Sequence, residues 1–176
     1  MSALTFVLSA WSTGLWLFEM NNLFIGHFYV VLQTLLIMKI YQLLNQGSAI
    51  EKGITIGMYV FFLAGIFLTV FVEPLIGFNP IGRMIAALIL VSLSLLYFFK
   101  LLSGPTDIRL EKTPMFWFNS GVLLYFFCTL FIFVFSIYVP TNKALNIPVW
   151  VLHSILFWIF FILCSIAVWV SLRRTQ

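Results

Sequence analysis

The chain reads as long apolar runs separated by short polar breaks. A helix needs about 20 apolar residues to cross a hydrocarbon core of roughly 30 Å. Candidate runs lie at 3–18, 23–44, 54–72, 83–99, 115–139 and 149–172, six in all, with the first and fourth on the short side. Each break has a physical cause. Glu19-Met20-Asn21-Asn22 is a tight polar turn that predicts an antiparallel hairpin of the first two runs. Asn45-Gln46-Gly47-Ser48 together with Glu51-Lys52-Gly53 reads as a loop by composition. Pro74, Gly77, Asn79 and Pro80 interrupt helix continuation between the third and fourth runs. Ser103-Gly104-Pro105-Thr106-Asp107 opens the longest polar connection, closed at Pro114, and Pro140 and Pro148 bracket the last loop. Barrel strands are a poor match, since the runs are continuous where strands alternate. The pattern therefore predicts an all-α fold, a polytopic transmembrane bundle of about six spans in a single membrane domain covering 1–176.

Composition strengthens this. Of 176 residues, 63% are hydrophobic, 19% aromatic and 8% charged, against roughly 25% charged in soluble domains. The 21 Phe exclude a solvated disordered chain, and two cysteines inside apolar runs make no disulfide framework. The stretch 100–114 is too short to bury a core of its own. Met1-Ser2-Ala3 lacks a basic leader, so no cleavable signal peptide is expected.

Charge placement orients the spans. One face of a six-span arrangement collects Lys39, Lys52, Lys100, Arg109, Lys112, Arg173 and Arg174, and the other only Arg83 and Lys143. Cytoplasmic loops carry the excess of Lys and Arg, so both termini are expected inside. The net charge of +4 follows from this topology and calls for no nucleic-acid partner.

Ionisable groups in a span are costly and mark function by default. His27 and His153 each lie about 6 Å below the outer end of their spans at 1.5 Å per residue. Glu19, Glu73 and Arg83 fall at the same outer level. Four readings are open for this set. It can be an interfacial layer bonded to headgroups and water, or an outward pocket in which Arg83 and the histidines grip an anion. It can be a metal site with His27 and His153 as first candidates, bis-histidine haem being a special case, or an acid–base centre acting on lipid. Gln33, Thr34, Asn119, Ser120 and Ser154 read as polar residues that pack helices together. Ser154 and Ser165 share a face, as do Trp158 and Trp169; these form either a ridge against a partner helix or a lipid-facing belt. No phosphate loop, nucleophile elbow or arginine ladder is present, and the last span has no lysine for a retinal Schiff base.

Three stretches carry a resemblance. They are Asn22-Leu23-Phe24-Ile25-Gly26-His27-Phe28-Tyr29, Phe116-Trp117-Phe118-Asn119-Ser120-Gly121-Val122-Leu123-Leu124-Tyr125-Phe126, and Trp150-Val151-Leu152-His153-Ser154 running on to Trp169. Together they resemble a family of uncharacterised bacterial multi-pass membrane proteins often encoded beside sensor histidine kinases and response regulators. Members of that pattern carry one further N-terminal span, and an acidic residue soon after the position matching His27, where this chain has Gln33. The resemblance implies an inner-membrane location and a signalling neighbourhood with a membrane or cytoplasmic partner. The leading expectation is a sensory or receptor-like protein with an outward polar pocket built from Glu19, His27, Glu73, Arg83 and His153. The alternatives are an accessory subunit of a larger membrane complex and an integral-membrane enzyme acting on lipid or using a metal.

Overall fold

The computed structural model describes residues 23–72, 79–104, 109–135 and 143–174, and every regular element among them is helical. These elements are α1 (Leu23–Leu44), α2 (Ala49–Phe71), α3 (Pro80–Leu102), a 3-10 turn (Leu110–Lys112), α4 (Pro114–Phe135) and α5 (Lys143–Arg174). Among the described residues, five helices are long and apolar enough to cross a membrane. The protein is thus an all-α chain of multi-pass membrane character. The expected span at 3–18 and the turn that follows it lie outside the described residues. Two compact units divide the chain, Met1–Ala86 and Ala87–Gln176, with the boundary inside α3.

Four helix starts differ from the sequence reading, each for a local reason. The loop expected through Gly53 ends at Ser48, because Ser48 caps α2. Its hydroxyl accepts the Glu51 backbone N–H at 3.4 Å, while the Glu51 carboxylate accepts from the Gly47 N–H at 2.7 Å. This is a variant of the capping box, in which a polar triplet that reads as loop serves to start a helix. Gly47 supplies the turn with φ 77°, a left-handed conformation open to glycine. Pro80 and Pro114 open α3 and α4 as their first residues, where the missing N–H costs nothing. Pro148 does not bound the last loop. It lies inside α5, which starts at Lys143, and so removes one helical bond, to the carbonyl of Ala144. With 32 residues, α5 is about 48 Å long at 1.5 Å per residue, longer than the hydrocarbon core.

In the first unit, α1 buries Ile25, Val30, Thr34, Ile37 and Tyr41, spaced three, four or five residues apart along one stripe. It packs against α2, where Gly65 admits Val31 closely: a Cβ there would meet Val31 Cγ2 at 3.1 Å. A polar chain ties the two helices near their connection. Lys39 donates to Gln42 at 2.6 Å, Gln42 donates to Thr55 at 2.6 Å, and the Thr55 hydroxyl donates to the Glu51 carbonyl at 2.8 Å.

In the second unit, α4 and α5 form the most extensive helix pair. On α4, Phe118, Val122, Tyr125, Thr129 and Ile132 are buried at alternating spacings of four and three. From α5 come Leu156, Phe160 and Ala167. Tyr125 stacks on Phe160 with ring centroids 5.3 Å apart. Gly121 sets the closeness of the pair, since a Cβ there would lie 3.2 Å from Leu163 Cβ and 3.3 Å from Phe160 Cδ2. Small residues at helix interfaces drive association in lipid by this kind of approach. Ser154 and Ser165 face outward with Trp158 and Trp169, and each hydroxyl bonds a carbonyl of its own helix, Trp150 and Phe161.

Gly121→Leu is expected to destabilise the protein by about 1–3 kcal/mol through overpacking, read as a lower unfolding midpoint in detergent. Gly53→Ala, with nothing within 4 Å of the new Cβ, leaves that midpoint unchanged or raises it. An unchanged midpoint for Gly121→Leu contradicts the close helix approach.

Candidate functional site

The start of α1, the end of α2 and the start of α3 meet at one end of the first unit, and polar side chains collect there. His27 lies one turn into α1 and is buried. Its Nδ1 is 3.4 Å from the Thr69 hydroxyl on α2; the hydroxyl donates when Nδ1 is unprotonated and accepts otherwise. Asn79 precedes α3, is buried, and accepts from Arg83 Nε at 2.8 Å through its side-chain oxygen. The other end of the Arg83 guanidinium rests against Gly26: a Cβ at Gly26 would lie 2.8 Å from Arg83 Nη2. Glycine beside His27 is therefore what lets the cation lie along α1. Between these groups is a cavity of about 20 Å³, with His27, Thr69, Asn79, Gly65, Gly82 and Phe61 in its wall. That volume holds about one water molecule.

A second polar centre occupies the middle of the second unit. Asn119 and Ser94, both fully buried, exchange side-chain bonds with each other's backbone. Asn119 Nδ2 donates to the Ser94 carbonyl, and Ser94 Oγ donates to the Asn119 carbonyl, each at 3.2 Å. Both groups are satisfied without water, and α3 and α4 are fixed in register.

His153 is half-buried on α5, 3.2 Å from the Tyr125 hydroxyl through Nε2. Tyr125, Phe133 and Trp150 surround its ring at 5.9, 5.8 and 5.8 Å between centroids.

Compared with known proteins, the chain matches no family model, no curated protein and no solved structure. Site assignment rests on the geometry alone.

Of the residues expected at the outer level, His27 and Arg83 belong to one polar cluster in the first unit, and His153 belongs to the second unit with Tyr125. Glu19 and Glu73 lie outside the described residues. Among the described residues, no group of three or more His, Cys, Asp or Glu is placed to hold a metal ion. Gln33 and Thr34 are buried in α1. Ser120 is half-buried and bonds the Phe116 carbonyl of its own helix at 2.8 Å. Sequence reasoning missed Thr69, Asn79, Ser94 and Tyr125. The signal for Asn79 was present, as an asparagine directly before a helix-starting proline; the other three become visible only once helices are paired.

Removing either half of the Asn119–Ser94 exchange tests its weight. Ser94→Ala and Asn119→Ala are each expected to lower stability by on the order of 1 kcal/mol. The double variant should lose less than the sum, as a double-mutant cycle in detergent or bicelles reads out. Strict additivity contradicts the pairing.

Proposed function

We propose that this protein is a proton-responsive sensory membrane protein whose input site is the His27–Thr69–Asn79–Arg83 cluster. The observation that carries the reading is the size of the cavity. At about 20 Å³ it admits water or a proton and excludes an organic ligand. Histidine is the side chain that changes charge near neutral pH, and His27 stands in the wall of that cavity. Protonating it adds a second positive charge to a cluster that already holds the half-buried Arg83 guanidinium. Like charges repel, and here the repulsion acts between α1, α2 and the start of α3. The input is thus converted into helix displacement, which a partner reads as a shift between two packings.

The same proposal includes six crossings with both termini in the cytoplasm of a bacterial inner membrane. The distribution of Lys and Arg, seven against two, supports it, with the cluster then facing the external side. The resemblance to proteins encoded beside sensor kinases supports a membrane or cytoplasmic signalling protein as the partner.

Spin labels at Phe28→Cys and Val70→Cys, both exposed positions flanking the cluster, report the separation of α1 and α2. Endogenous Cys128 and Cys164 are replaced by alanine. On acidification the mean distance is expected to shift by about 1–2 Å, the scale of helix displacements in switches. His27→Gln abolishes the shift, and His153→Gln preserves it. No shift in the parent protein, or an undiminished shift in His27→Gln, overturns the reading.

A further inference from the structure

The second unit carries a larger and chemically different cavity. It measures about 580 Å³ and is walled by Arg109, Lys112 and Thr113 from the segment entering α4, and by Trp169, Val170 and Arg173 from the last turns of α5. That size falls among small-molecule sites. The wall on the α4 side is a braced turn. Backbone bonds run from Lys112 N to the Arg109 carbonyl and from Thr113 N to the Leu110 carbonyl, each 3.0 Å. Trp117 Nε1 donates to the Glu111 carbonyl at 2.9 Å, tying the turn to the first turn of α4.

On the other wall the Arg173 guanidinium carbon sits 3.7 Å from the centroid of the Trp169 ring. Stacking engages the face of the guanidinium and leaves its N–H edge free in direction to form a fork with phosphate oxygens. Three cationic side chains and one carboxylate, Glu111, line the cavity, so its field favours an anion. Its position sets the rest of the ligand. The cavity lies where α4 begins and α5 ends, at headgroup level for helices that span a bilayer. Next to the lining residues of α5, Val168 and Leu172 are exposed apolar side chains. A tryptophan at this level is typical of the membrane interface.

We propose that this cavity binds the phosphate headgroup of an anionic phospholipid, with Arg173, Arg109 and Lys112 around the phosphate and the acyl chains lying along α5. Basic pockets between helix ends select anionic lipid in this way. The lipid holds the last turn of α5 to the turn before α4.

The test is native mass spectrometry of the full chain released from micelles containing phosphatidylglycerol or phosphatidylcholine. Phosphatidylglycerol is retained in preference. Arg173→Ala lowers its retention about fivefold, and Arg109→Ala with Lys112→Ala lowers it further, since each basic group near anionic lipid contributes about that factor. Glu111→Gln raises retention, a gain that a misfolded variant cannot produce. Lys39→Ala and Lys52→Ala, outside the cavity, leave it unchanged. Millimolar inorganic phosphate leaves the lipid bound. Equal retention of the two lipids, an Arg173→Ala variant indistinguishable from the parent, or displacement by inorganic phosphate overturns the proposal, the last by making the site one for the free anion.

Discussion

Hydrocarbon offers no hydrogen bonds, and that absence organises the whole chain. Every backbone group in a span must find its partner within the helix, and every polar side chain must find one within the protein. The buried polar residues include His27, Gln33, Thr34, Ser94, Asn119 and Thr129, while Phe28, Leu63, Phe67, Phe99 and Trp158 are turned outward. A water-soluble fold would reverse that arrangement. Hydroxyls on the exposed faces, such as Ser92, Ser154 and Ser165, fold back onto carbonyls one turn earlier in their own helices.

From this constraint follow two kinds of polar feature. One kind locks: in the Ser94–Asn119 exchange each side chain is spent on the other residue's backbone. The other kind, at helix ends, keeps space around it. The His27 cluster holds room for a water, and the Arg109–Arg173 cavity has room for a headgroup. Small residues make both kinds feasible, with Gly121 closing the α4–α5 gap and Gly26 leaving room for Arg83 beside α1. A chain with so few charges places most of them at helix ends, where they meet water, lipid phosphate or each other.

Much of the fold was legible because a membrane helix needs only its own residues to declare itself. The runs at 23–44, 54–72, 83–99 and 149–172 each fall on a described helix, and that at 115–139 does so as far as the described residues reach, to 135, though the ends moved. Ends depend on capping geometry, and Ser48 with Glu51 spends polar residues on starting a helix, which composition alone reads as a loop. Pro148 misled for the converse reason, since a proline near a helix start costs a single bond. The site was less legible. His27 and Arg83 stood out as costly groups in an apolar run, but Thr69 and Asn79 are ordinary residues until α2 and α3 are laid against α1. The α4 neighbours of His153, Tyr125 and Phe133, likewise become visible only once α4 is laid against α5.

The claim beneath all of this is that the described helices each cross the bilayer. Side-specific labelling of single cysteines in native membranes tests it most directly, using Gln46→Cys before α2, Val72→Cys after α2 and Ser103→Cys after α3, with Cys128 and Cys164 replaced by alanine. The account predicts that a membrane-impermeant thiol reagent reaches positions 46 and 103 from one side and position 72 from the other. Labelling of all three from a single side would contradict it.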